Sequence, residues 1–334
     1  MNPVGELIIL ELQHRLVRQT INIAVGKAME DMKTSTKRSI RNLVDLGLLY
    51  AQTENQKNFF GIAKKIISNQ KNPYHSLITR MITDVDNDTI KKVGLNLGYS
   101  SLIHGAGKLK KRWKSTGTLI PWLIIFDMNH PDPDFFSDME LCIQKGRNLG
   151  IYSYIVRLYD AKDIPGICRI AKQYDECMFA LKVVPGLITD ETAEAIGNIN
   201  NMMVSVQAES AESRLEDTEA AFSRLRQSRC LYGFHVNYNE EAMYRLTTPE
   251  YIRSAIDTGC VFGIYIAEEN ASDGCRDTVY HFARRTRGES GQPLLTMDWY
   301  RDIHDISEKI LSGDGYLAIS PSFLKTKRLH SITI

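Results

Sequence analysis

A chain of 334 residues with 43% hydrophobic and 24% charged residues has the composition of an ordinary globular protein, long enough for one large core and a smaller module. Lys plus Arg (41) nearly cancel Asp plus Glu (40), so the net charge of +1 gives no global attraction to nucleic acid or to an anionic membrane. The apolar run at residues 7–12 is too short to span a bilayer, and Gln13, His14 and Arg15 end it at once.

No small-residue cleavage site follows that run, and the expectation is a cytoplasmic protein with no membrane contact. The six cysteines, Cys142, Cys168, Cys177, Cys230, Cys260 and Cys275, are scattered along the chain. Such spacing predicts reduced, mostly buried thiols.

Residues 1–95 carry helical apolar spacing, as in Ile8, Leu12, Leu16 and Ile21, then Ile40, Leu43 and Val44, then Phe60, Ile62, Ala63 and Ile66. They predict an α-helical N-terminal module, with Gly47 as the stop of its second helix. Residues 96–118 read as a basic linker or helix. Within it lie Lys108, Lys110, Lys111, Arg112 and Lys114 with Trp113, expected as a solvated helix face. Gly105, Gly107 and Lys108 lack the first glycine of a phosphate loop, and Leu109 stands where it needs Ser or Thr. Residues 34–38 followed by an apolar helix are loosely like a winged-helix fragment without a wing, so DNA binding is not expected.

From residue 119 short apolar runs alternate with amphipathic segments. Strands are predicted at 119–126, 152–158, 178–184, 202–206, 231–236 and 261–267. Helices are predicted near 137–148, 164–174, 190–198, 211–228 and 249–258. Strand and helix recurring at roughly 24 to 33 residues predict parallel βα units. Six of them, over 119–267, point to an α/β partial (β/α)6 barrel, with an open doubly wound sheet as the alternative. A C-terminal extension, 268–334, carries a helix near 278–285, an exposed loop at 285–292 and a last strand, helix and strand at 294–297, 300–311 and 316–320, packing on the barrel.

The stretch Ile120-Pro-Trp-Leu-Ile-Ile-Phe-Asp127 resembles the first barrel strand of radical S-adenosylmethionine (radical SAM) proteins that carry a helical segment before the barrel. Asn72-Pro-Tyr-His-Ser-Leu-Ile with residues 83–93, Gly146-Arg-Asn-Leu-Gly-Ile-Tyr-Ser-Tyr154, Leu231-Tyr-Gly-Phe-His-Val-Asn237 and Pro293-Leu-Leu-Thr-Met-Asp-Trp-Tyr300 resemble the same family in the same order. The likeness spans roughly residues 70 to 320. It implies a partial (β/α)6 TIM-like barrel and a [4Fe-4S] cluster held by C-x-x-x-C-x-x-C after the first strand. Residues 127–136 contain no cysteine, so the three thiolates are missing. The family's G-G-E-P turn aligns with Leu158-Tyr-Asp-Ala161, where bulky side chains replace both glycines and Asp160 alone survives in kind. At the fourth strand its polar end looks like Val206-Gln-Ala-Glu209. The expectation is a degenerate member: no cofactor, neither a [4Fe-4S] cluster nor S-adenosylmethionine, and a pseudoenzyme acting as a binding, accessory or regulatory protein. Its partner would be an active radical SAM enzyme, a peptide or a small molecule.

Barrel sites gather where strands end. The candidates there are Asp127, His130 and Asp132; Arg157 and Asp160; Lys182; Gln207 and Glu209; His235 and Asn237; and Tyr265 and Glu268. Asp127, His130, Asp132 and Asp134 offer nitrogen and oxygen to a divalent metal, or form a Pro-punctuated turn with a helix cap. His235 and Asn237, two apart on a strand, share a face. Arg157 is expected to pair with Asp160 or Glu209. An enzyme of another class, using these carboxylates and histidines with or without a metal, is the second reading.

Overall fold

The computed structural model describes residues 3–51, 53–69, 72–129, 131, 134–208, 215–288, 292–308 and 316–319. Eight strands form one parallel sheet: β1 (Leu123–Asp127), β2 (Ser153–Arg157), β3 (Met178–Val183), β4 (Met202–Gln207), β5 (Tyr232–Tyr238), β6 (Phe262–Ala267), β7 (Leu295–Asp298) and β8 (Tyr316–Ile319). Their order is β7-β6-β5-β4-β3-β2-β1-β8. This half-barrel corrects the expected count of six. The tail supplies one further strand at each edge, β7 pairing with β6 and β8 with β1.

Five helices precede the sheet: α1 (Pro3–Tyr50), α2 (Glu54–Ser68), α3 (Tyr74–Asp84), α4 (Asn87–Leu95) and α5 (Ala106–Thr116). A wide π-helical stretch, Asn96–Gly105, joins α4 to α5 without a break. The expected linker is therefore helix. Between and after the strands come α6 (Phe135–Leu149), α7 (Ile164–Gln173), α8 (Asp190–Gly197), α9 (Leu215–Gln227), α10 (Glu240–Leu246), α11 (Pro249–Asp257), α12 (Asp273–Gly288) and α13 (Trp299–Ile306).

Two sequence-based boundaries fail in α1. Gly47 does not end it, and residues 34–38 lie inside it rather than at a helix-turn-helix junction. At Gly47 a Cβ would fall 2.2 Å from the Phe60 ring, so the glycine serves close packing of α2 on α1. Elsewhere the caps follow side-chain chemistry. Asp86 accepts from the amides of Asp88 and Thr89 at the start of α4, and Asn239 does so from Glu241 and Ala242 at α10.

The sheet's two faces are sorted by residue parity. Ile124, Phe126, Tyr154, Val156, Phe179, Leu181, Val204, Val206, Phe234 and Val236 join the large core that the barrel helices cover. The alternate residues face the concave side, as the two-residue repeat of a strand requires. At the N-terminal ends of the strands that side is plugged: Met178, Leu231, Val261 and Phe262 pack with Leu77, Val85 and Val93 of the N-terminal helical segment. Ser101 and Ser153 share a buried hydrogen bond of 2.8 Å where the π-helical stretch meets β2.

Polar side chains bolt this plug to the loops that feed the strands. Arg80 donates to the carbonyls of Ile256 (2.6 Å), Cys260 (2.7 Å) and Pro293 (2.9 Å). Fully buried Asn96 donates to Asp175 O (2.9 Å) and Cys177 O (2.8 Å), and its own carbonyl accepts from Arg18 at 2.6 Å. These bonds add donors to backbone carbonyls of the segments that lead into the strands.

The two outer strands approach each other through their neighbours. Trp299, directly after β7, packs its ring 5.5 Å from that of Tyr316, which opens β8. Trp122 Nε1 donates to Ser307 Oγ at 3.1 Å. Near β7, Arg287 binds Asp302 through two hydrogen bonds of 2.5 and 2.6 Å, and Tyr238 donates to Asp298 at 2.8 Å.

Candidate functional site

With the N-terminal end plugged, the candidate site lies on the concave face toward the C-terminal ends of the strands. Register sets its contents. Asp127, Arg157, Lys182 and Ser205 are consecutive partners across β1, β2, β3 and β4. The next inward residue on β5 is His235, paired in register with Gln207 of β4. Ile155, Ala180, Met203, Ile264, Ile266 and Met297 are among the partly exposed apolar residues of the same parity. A polar row thus sits on an apolar floor.

Arg157 Nη1 meets Asp127 Oδ2 at 3.5 Å. This corrects the expected pairing of Arg157 with Asp160. Asp160 lies outside the mouth, capping the turn Ala161–Asp163 and pairing with Lys162 at 2.7 Å, while Glu209 lies outside the described residues. His130 and Asp132 also lie outside them, so the proposed ligand run is described only at Asp127 and Asp134. Among the described residues no group of three or more His, Cys, Asp or Glu is placed to hold a metal ion.

His235 is buried, and its Nδ1 lies 3.1 Å from Ser205 Oγ. Burial pushes the imidazole well below its ordinary pKa, Lys182 and Arg157 push it the same way, and the bond to Ser205 opposes them. It is a neutral group at physiological pH, with a ring nitrogen that donates or accepts according to tautomer. Asn237, two residues on, is exposed at the rim. Tyr265 is a correction. It faces the outer core, fully buried, against Phe234 and Phe282, and donates to Leu246 O at 3.3 Å. Glu268 accepts from Asn239 Nδ2 at 2.9 Å, tying the β6 end to the start of α10.

Lys182 is the group that the sequence named without weighing. Its ammonium takes part in no hydrogen bond or ion pair among the described residues. Burial pulls it down to about 8, Arg157 adds to this, and Asp127 works against it. Around it, Asp127 Oδ1 and Arg157 Nε are buried atoms with no hydrogen-bond partner among the described residues. Orphan polar atoms clustered at one place mark a site built to receive polar groups. Two residues were not named as site candidates: Ser205, two before Gln207 on β4 and therefore of its parity, and Tyr159, whose hydroxyl pKa is raised by burial and by neighbouring Asp127.

The cysteines do not contribute here. All six are buried. Burial raises the thiols of Cys142, Cys177, Cys230 and Cys260 to about 12 and that of Cys168 to about 11. Cys142, the nearest in sequence to the loop after β1, lies on α6 in the outer core. These thiols do not fit a cluster site in that loop. A separate groove of about 440 Å³ is lined by Thr79, Arg80, Asp84 and Arg226, but Arg226 and Asp84 already pair there at 2.8 Å.

No family model matches the sequence, and no curated protein matches it. Two solved structures are among those similar to this chain. Streptococcus suis SuiB has a TM-score of 0.45 and 10% identity, covering 59% of this chain and 54% of its own. SuiB bound to S-adenosylmethionine has a TM-score of 0.46 and 10% identity, covering 59% and 52%. This chain spans about half the length of those structures. The second of them overturns one expectation: S-adenosylmethionine was to be absent, and SuiB carries it, so that exclusion is withdrawn. No helix of the described residues is long and apolar enough to cross a membrane.

Proposed function

We propose that the chain is a radical SAM-like half-barrel that works as a binding protein, holding a small organic anion in the mouth of the barrel. The observation that carries this reading is the row Asp127, Arg157, Lys182 and Ser205, in which two cations face one carboxylate and one of the cations makes no hydrogen bond or ion pair among the described residues. A carboxylate group entering there pairs with Arg157 and Lys182 in a partly buried setting, where charge-assisted bonds are stronger than in open water. Ser205, neutral His235, Gln207 and Asn237 supply donors and acceptors that orient the remainder of the ligand, and Ile155, Ala180, Ile264 and Ile266 give it an apolar seat. The loop after β1 has no thiolate to hold a cluster, which supports binding over radical chemistry as the use of this barrel. In this reading the loaded mouth faces a partner, an active radical SAM enzyme being the first to test by copurification.

Titration calorimetry with a panel of mono- and dicarboxylates, inorganic phosphate and S-adenosylmethionine tests the assignment. A carboxylate should bind the native chain, and Arg157→Ala and Lys182→Met should each weaken it by more than about tenfold. Binding that both variants leave intact, or no binding of any acid, sinks the reading.

A further inference from the structure

We propose that Lys182 is a carbonyl-capturing amine that forms an imine with the oxo carbon of a 2-oxo acid whose carboxylate lies against Arg157. The inference deepens the reading of the mouth as an anion seat and rests on it.

Three observations place the amine for this step. Lys182 sits near the C-terminal end of β3 on the concave face, between Arg157 and Ser205 in register. Neighbouring strands lie about 4.8 Å apart, so an acid bound to Arg157 presents the carbon next to its carboxylate to the adjacent strand. Among the described residues no carboxylate pairs with the ammonium, and Asp127 pairs with Arg157 instead. A lysine that is partly desolvated and beside a second cation is the arrangement that yields a free amine near neutral pH. Its fall to about 8 leaves roughly a tenth of it unprotonated at pH 7. The groups facing it are Arg157, which favours the free amine, Asp127, which opposes it, and His235, which stays uncharged.

The step balances without an oxidant or reductant. The Nζ lone pair adds to the oxo carbon while the C=O π pair moves to oxygen. A nitrogen proton passes to that oxygen through water, giving the carbinolamine. Uptake of a proton expels the hydroxyl as water and leaves a protonated C=N bond to Nζ. The partly exposed mouth supplies the water for both transfers.

The experiment is reductive trapping. The native chain is incubated with pyruvate, with glyoxylate and with the uncharged carbonyl acetaldehyde, each with sodium cyanoborohydride, and labelled lysines are mapped by peptide mass spectrometry. The expected result is a secondary amine at Lys182 formed at least tenfold faster with the oxo acids than at Lys162, whose side chain is 73% exposed. Arg157→Ala should slow capture of the acids more than that of acetaldehyde. Lys182→Arg, which keeps the charge, should lose the label and retain its circular dichroism spectrum. Label spread over surface lysines in proportion to exposure overturns the proposal, as does a rate at Lys182 that is the same for charged and uncharged carbonyls. Calorimetric binding of oxo acids without trapping overturns the amine's role alone; absence of binding and of trapping overturns the seat as well.

Discussion

The two ends of the same concave face are built from the same strands yet serve opposite ends. On β3, Met178 belongs to the apolar plug and Lys182, four residues on, stands in the mouth. On β5 the pair is Leu231, which leads into the strand, and His235. What separates them is the cover. α3 and α4 lie over the strand starts, and apolar residues there bury area that water would otherwise wet. Beyond that cover the strands keep polar groups whose bonding is incomplete. Stability is concentrated below and receptivity above, so substitutions should have opposite signs at the two levels.

The largest effect is expected where the plug is bolted. Arg80→Ala removes a guanidinium donor from three backbone carbonyls and should cost about 4 kcal/mol, read as a fall in the urea midpoint at constant slope. An unchanged midpoint would show that the plug and the barrel hold together without it. Next is Leu77→Ala. Leu77 is 4% exposed within the plug, and truncation should cost about 3 kcal/mol by the same measurement. Reducing both effects to a few tenths would erase the distinction between the two levels.

A smaller effect, and one that belongs to the mouth, is carried by pH. His235 stays neutral when folded and has an ordinary pKa when unfolded. As pH falls below about 6.5 the unfolded chain takes up a proton that the folded chain refuses, so stability is lost on the acid side, by up to about 1.4 kcal/mol per pH unit. Other buried groups, such as His104 at about 3, lose stability the same way in native chain and variant alike and cancel in the comparison. Urea melts of the native chain and of His235→Gln at pH 7 and pH 5 should therefore differ in slope against pH; equal slopes would mean that His235 is charged in the fold.

The sequence carried the strands well and the pairing poorly. All eight segments were legible, because buried parallel strands are short apolar runs between turn signals. The strand count in the sheet was not, since β7 and β8 join opposite edges through contacts far apart in sequence. α10 went unread because seven residues after Asn239 give too short a period to detect. In the site, strand ends led to Asp127, Arg157, Lys182 and His235. Which of them meet depends on register between strands, and so the bond from Arg157 to Asp127 could not be read locally. Tyr265 was misplaced for a related reason. With apolar residues on both sides of β6, Ile264 and Ile266 inward and Tyr265 outward, alternation leaves no mark of the face.

The smallest change expected is a gain. Lys182 has a folded pKa of about 8 against an ordinary 10.5. Below pH 8 both states hold the proton and the fold bears the full cost of a charged, partly buried amine beside Arg157. Between about 8 and 10.5 the unfolded chain binds more protons than the folded one, so stability rises with pH across that window and the cost disappears above it. Lys182→Met removes the charge and should raise stability by about 1 kcal/mol at pH 7, with the advantage gone by about pH 10.5. Urea midpoints of the two chains at pH 7 and pH 10.5 measure it. A loss of stability at pH 7 would mean that the ammonium is held by an acceptor in the fold, and the mouth would then be one more bolted layer of the plug beneath it. A gain that fades with pH would mark Lys182 as a group kept at the expense of the fold, as expected of a residue retained for what it binds.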